Sequence, residues 1–77
     1  MKRATPQNRH IGRKIAEYRT ARRWTQEDLA AQMQLHDCDL SREMIARIEI
    51  GYRAVSVYEI DKFVDVFGVT YDALFAK

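Results

Sequence analysis

Trp24-Thr25-Gln26-Glu27-Asp28-Leu29-Ala30, followed by Ser41-Arg42-Glu43-Met44-Ile45-Ala46-Arg47-Ile48-Glu49-Ile50-Gly51, is the stretch on which the fold turns. Thr25 supplies a capping hydroxyl and Asp28 an acid three residues on, the signature of a helix N-terminus. Leu29, Ala30 and Met33 mark the buried side of that helix. Ser41 opens a second, shorter helix, over about residues 41–50. Ile45 and Ile48 give its inner face, and Gly51 stops it. Two short helices joined by a turn make a helix-turn-helix, a pattern that many small helical bundles contain.

The same signals continue outward on both sides. Upstream, Ile11, Ile15 and Tyr18 recur at i, i+4 and i+7 and predict a helix from about residue 8 to 22. Thr5-Pro6 allows an earlier start, because proline suits the first helical position. Downstream, Val57, Ile60, Phe63, Val64 and Phe67 form an apolar stripe. Ser56-Val57-Tyr58-Glu59 is a capping box at its head, and Gly68 ends it. Thr70 then caps a last short helix carrying Tyr71, Leu74 and Phe75. Val55-Ser56-Val57 alternates like a strand, but the capping box sends it into a helix. The sum is an all-α fold of five helices. Residues 1–7 are expected to be a flexible basic arm and residues 8–77 a single domain. Leu35 and Leu40 are expected to anchor the long turn in the core. Tyr52, Tyr58, Phe63 and Phe67, at helical spacing, read mostly as core.

Composition narrows the function. The chain has 77 residues, one cysteine and a net charge of +2. That is one domain's worth of chain. Cys38 has no partner for an internal disulfide, and a free thiol fits a reducing setting. No run approaches the roughly 20 apolar residues of a membrane span. The charged N-terminus lacks the apolar run of a signal peptide. His36, Asp37 and Cys38 fall short of a zinc site, which needs four ligands, and His10 is remote in sequence. The aspartates beside Cys38 disfavour a reactive thiolate. No Ser/His/Asp set, glycine-rich phosphate loop or carboxylate pair suggests an enzyme, and no cofactor is expected. The charge is lopsided, however. Residues 1–25 hold eight bases against Glu17 alone, whereas residues 26–40 hold four acids and no base. A basic segment on a small domain reads either as a nucleic-acid footprint or as a solvated helix face.

The whole string is more specific than its parts. Ile11-Gly12, Arg19, Trp24-Thr25-Gln26-Glu27-Asp28-Leu29-Ala30, Ser41 to Ile45, Ile48-Glu49-Ile50-Gly51 and Phe67-Gly68-Val69-Thr70-Tyr71-Asp72-Ala73-Leu74-Phe75 together resemble the phage-repressor-like (Cro/repressor, XRE) helix-turn-helix family. The resemblance runs from about residue 10 to 75. It implies a five-helix, lambda-repressor-like DNA-binding domain whose third helix enters the major groove. With Ile45 and Ile48 inward, Glu43, Ala46 and Arg47 share the outer surface by the i, i+3, i+4 rule, and Arg42 stands with them. Arginine on a guanine edge is the commonest specific groove contact, so Arg42 and Arg47 are the leading base readers. Glu43 either accepts from a cytosine amino group or positions Arg47. The resemblance places Gln26 on the DNA backbone, where a helix N-terminus also favours phosphate. Arg53, Arg13 and Arg9 are further phosphate candidates. It also implies a structural ion pair between Arg19 and Glu49, either partly buried or exposed.

Two features depart from the family pattern. The turn from Gln34 to Ser41 is longer than the usual tight turn, matching a longer-turn variant. Its acids, Asp37 and Asp39, are expected to face away from phosphate. Ile50 stands where a polar or basic residue is usual; a thymine methyl and a protein partner both fit it. The expected function is a sequence-specific regulator of transcription, a repressor by simple occupancy of double-stranded DNA. It is expected to be a homodimer and cytoplasmic, in a bacterial or phage-type setting at the nucleoid. Tyr71, Leu74 and Phe75 are the candidate dimer interface, though Leu74 and Phe75 serve equally to close the core. The alternative is a protein-interaction module on the same fold, antitoxin-like or an antirepressor's partner, with weak DNA binding.

Overall fold

Every helix of this chain starts on a hydroxyl. In a computed structural model describing residues 4–76, the order is α1 (Pro6–Ala21), α2 (Gln26–Leu35), α3 (Arg42–Glu49), α4 (Val57–Phe67) and α5 (Tyr71–Phe75). Thr5, Thr25, Ser41, Ser56 and Thr70 are the five N-caps, each side chain accepting from a backbone N–H three residues on. Thr25/Asp28 and Ser56/Glu59 close full capping boxes. Each cap contributes about 1 kcal/mol, so a short chain gains much of its helical order locally. α1 begins at Pro6, ahead of the periodic stripe, because Thr5 caps it and Pro6 needs no donor there. Residues 5–7, read from the sequence as part of a basic arm, therefore belong to this helix and its cap. Residues 1–3 of that arm lie outside the described residues. Among the described residues there is no strand.

Four helices also end alike. The chain enters the left-handed region at Arg23 (φ 59°), Asp37 (φ 63°), Gly51 (φ 86°) and Gly68 (φ 65°). At each, the next residue's N–H returns to a carbonyl five residues back: Trp24 to Arg19, Cys38 to Met33, Tyr52 to Arg47, Val69 to Val64. This is the Schellman ending, which glycine suits best. Arg23 occupies it with a side chain that disfavours that backbone by about 1–2 kcal/mol. Arg23→Gly is expected to stabilise the protein by roughly 0.5–1 kcal/mol, after the added freedom of the unfolded chain is subtracted. Thermal unfolding checks it, with a midpoint several degrees higher.

The core is built from one face of every helix. Ile11 and Ile15 meet Leu29 and Met33, Ile45 and Ile48, then Ile60, Phe63 and Phe67, with Leu74 closing the far end. Tyr18, Trp24 and Phe63 surround Phe67, with ring centroids 5.5–6.3 Å away. Arg22 lies over the Trp24 and Phe67 rings and donates to the carbonyls of Tyr18 and Phe67.

The long turn corrects one expectation. Leu40 is buried, but Leu35 is 76% exposed, and Cys38 takes the inner place. The Schellman ending explains the exchange, since it sets Cys38, and not Leu35, against Met33. Burial raises the Cys38 thiol pKa, and Glu59 adds to the rise. The Tyr58 hydroxyl donates to the Asp37 carbonyl at 2.7 Å and ties the turn to the start of α4. Tyr58 and Tyr52 are accordingly exposed, unlike Phe63 and Phe67, and so is Val57. Val57 heads the α4 stripe at its first residue, one turn short of the packed region. Leu74 is fully buried, which removes it from any dimer surface and leaves Tyr71 and Phe75 exposed on α5.

Candidate nucleic-acid interface

α3 is held from behind by polar groups and packed residues, and its outer face is left open. Ile45 and Ile48 are fully buried. Gly12 of α1 brings its own backbone against the last turn of α3. A Cβ there would overlap the Ile48 carbonyl oxygen and stand 2.8 Å from that of Glu49.

Glu49, the last residue of α3, joins three helices. Its Oε2 accepts from Arg19 Nε at 2.7 Å, and its Oε1 accepts from Arg19 Nη2 and Gln26 Nε2, each at 3.0 Å. Arg19 Nη1 also donates to the Trp24 carbonyl at 2.7 Å. The two side chains are 15% and 7% exposed, so the pair is partly buried. The bond to Glu49 raises the Arg19 pKa further, against the opposing effect of burial. Arg19 thus remains a cation throughout the working pH range. The Gln26 amide, expected on a phosphate, spends a donor inside this network. What α2 offers outward is its N-terminal end.

Arg53 is engaged as well. Its Nη1 and Nη2 donate to the two carboxylate oxygens of Glu59, each at 2.9 Å, and Nη1 reaches the Ala54 carbonyl. That bond holds the Glu59 carboxyl below the usual glutamate range, with Ser56 helping and burial opposing. Its charge is largely answered within the protein, which weakens it as a phosphate contact. Arg9 stays exposed, with its backbone packed on Gly51 beside the end of α3. Arg13 instead lines a groove between α1 and α5 with Phe75. Of the expected phosphate residues, Arg9, Gln26 and Arg53 lie around α3, and Arg13 is exposed one turn along α1 from Arg9.

The outer face of α3 carries the residues read from its periodicity. Arg42, Glu43 and Arg47 are exposed and Ala46 is half-buried between them. Among the described residues, none of the three charged side chains forms an ion pair, and Glu43 does not reach Arg47. A cleft beside Arg47 is lined by Tyr52, Arg53 and Ala54. Two arginines and one acceptor, unpaired on a rigid helix, can meet the donor and acceptor groups of base edges without first breaking internal bonds.

Sequence reasoning missed three of these features: the Gln26–Glu49 bond, the Arg53–Glu59 pair and the close approach at Gly12. The Ser56/Glu59 capping box was visible, but nothing in the spacing showed that Glu59 would also reach back to Arg53. No helix among the described residues is long and apolar enough to cross a membrane. A helix-turn-helix family model matches residues 15–74. No curated protein matches the chain.

Proposed function

Because the chain belongs to the Cro/C1-type helix-turn-helix family, a family of DNA-binding regulators, we propose that it is a sequence-specific repressor that reads the major groove of double-stranded DNA with α3. One observation carries this reading: Arg42, Glu43 and Arg47 stand exposed, and unpaired among the described residues, on a helix whose opposite side is fixed to α1 and α2. The fixed helix sets where these side chains start from, and no internal bond has to be broken before they meet base edges. Ordering each one on binding still costs about 0.5–1.5 kcal/mol in side-chain freedom. Arg42 and Arg47 are the guanine readers, Glu43 accepts from a cytosine amino group, and Ala46 lets the helix sit close. Arg9 and the N-terminal end of α2 contact phosphate, with smaller contributions from Gln26 and Arg53.

The proposed assembly is a homodimer on a two-fold-symmetric site, with half-sites about 34 Å apart. Tyr71 and Phe75, the exposed aromatics of α5, supply the apolar part of its interface. Repression follows from occupancy, in the cytoplasm where the nucleoid lies. The net charge of +2 gives a weak sequence-independent attraction. Base contacts and dimer symmetry therefore supply most of the selectivity.

Selection of bound sequences from a random duplex pool tests the reading. A two-fold-symmetric consensus is expected, and recovery of no preferred sequence would refute it. Arg47→Ala is expected to cost about 1–3 kcal/mol at the selected site and to relax one base position. Binding isotherms on the selected duplex and its single-base variants measure both effects. Unchanged affinity and preference would remove Arg47 from the reading face.

A further inference from the structure

Ile50 is the one large apolar residue on the outer stripe of α3. It caps the helix with near-helical backbone (φ −92°, ψ 0°), and its N–H still reaches the Ala46 carbonyl. Its position therefore continues the series Glu43, Ala46, Arg47, Ile50, spaced i, i+3, i+4, i+7 along one face. The side chain is 59% exposed. Gly51 then turns the chain away, and the Tyr52 N–H bond to the Arg47 carbonyl fixes the turn. Both sides of this region are rigid, since Gly51 packs on Arg9 and Glu49 is bound to Arg19 and Gln26.

Scattered apolar side chains on a surface ordinarily need no explanation. Ile50 differs in what surrounds it. Of the charged groups within three positions of it, Glu49 and Arg53 are already paired within the protein, which leaves Arg47. What the end of the stripe presents outward is an aliphatic side chain one turn from the unpaired Arg47. From Glu43 to Ile50 the stripe rises about 10 Å, the length of about three base-pair steps. The only apolar group that a base pair displays in the major groove is the thymine C5-methyl.

We propose that Ile50 is a specificity-determining residue that packs on a thymine methyl, within two base pairs of the base read by Arg47. The inference rests on the DNA-reading role of α3. It adds a base that polar contacts alone would not select. Covering one methyl corresponds to an affinity change of about three- to fivefold.

The test uses the duplex recovered from the random pool. Each thymine is replaced in turn by deoxyuridine, which deletes the methyl and keeps every hydrogen-bonding group. The intact chain is expected to lose about three- to fivefold in affinity at one thymine of each half-site and little elsewhere. Ile50→Ala is expected to bind the thymine and uracil duplexes equally, with an unchanged melting temperature. A chain that selects a duplex yet tolerates uracil at every position overturns the thymine contact and leaves the DNA reading intact. So does an Ile50→Ala protein that still discriminates thymine from uracil while its monomer–dimer equilibrium shifts, which would assign Ile50 to a protein contact. A chain that selects no duplex overturns the reading of α3 and this inference together.

Discussion

Gly12→Ala is expected to lower the melting temperature by on the order of 10 °C or more and to abolish specific binding near the wild-type midpoint. Two effects oppose each other. Alanine is the better helix former, by about 0.8–1 kcal/mol. The added methyl, however, overlaps the Ile48 carbonyl oxygen and stands 2.8 and 2.9 Å from the carbonyl oxygen and carbon of Glu49. These are backbone atoms at the end of α3, and no rotamer change relieves the clash. Overpacking against atoms that can move costs typically 1–3 kcal/mol and occasionally more; here a whole helix must be displaced, which puts the cost at or above the top of that range. A net loss of about 2 kcal/mol corresponds to roughly 8–16 °C in a domain of this size. An unchanged or raised melting temperature would mean that helix propensity wins and α1 stands further from α3.

The same substitution bears on function because the displaced atoms belong to Ile48 and Glu49. Ile48 is a fully buried anchor of α3, and Glu49 is its link to Arg19 and Gln26. Moving α1 off α3 therefore tilts the outer stripe along with the packing beneath it. In the sequence, Gly12 carries no signal beyond its place in the Ile11-Gly12 pair. A glycine inside a helix is a local cost unless something passes close to it, and what passes close here is a segment 36 positions further along the chain. Local patterns carry no trace of that approach.

The contrast with what the sequence did reveal is physical. Helix starts were legible because a capping hydroxyl and its N–H lie three residues apart. Thr25, Ser41, Ser56 and Thr70 could be read without knowing the fold. Helix ends were legible at Gly51 and Gly68 but not at Arg23 and Asp37, where a non-glycine residue occupies the left-handed region. Periodicity identifies the inner faces of α1, α3 and α4 but also counts Val57 in the α4 stripe, and the expectation that Leu35 anchors the long turn fails as well. Both sit at helix termini, where the stripe runs past the neighbouring element. At the interface, the outward stripe of α3 followed from the positions of Ile45 and Ile48. The partners of Gln26 and Arg53 did not, because each bond crosses between elements whose relative placement no local spacing encodes.

Glu49→Ala is expected to cost about 3 kcal/mol, the lower end of what breaking a buried ion pair costs. The lower end applies because Arg19 is 15% exposed and can recover some hydration. Without the carboxylate, the guanidinium keeps only its bond to the Trp24 carbonyl, and Gln26 loses its acceptor. Glu49→Gln retains one oxygen and the shape of the side chain, and is expected to cost less, about 1.5–3 kcal/mol. Thermal unfolding of both variants measures the effect; a Glu49→Gln protein that melts like the parent would show that the pair behaves as an exposed one. A double-mutant cycle with Arg19→Ala isolates the coupling, expected within about 0.5–3 kcal/mol. Stability and orientation can then be separated on the selected duplex. At a temperature where each variant is almost wholly folded, a protein that merely lost stability binds as the parent does. If Glu49 also sets the tilt of α3, affinity falls even there. The loss should be larger on the selected sequence than on random duplex, because phosphate contacts tolerate a small rotation that base-edge contacts do not.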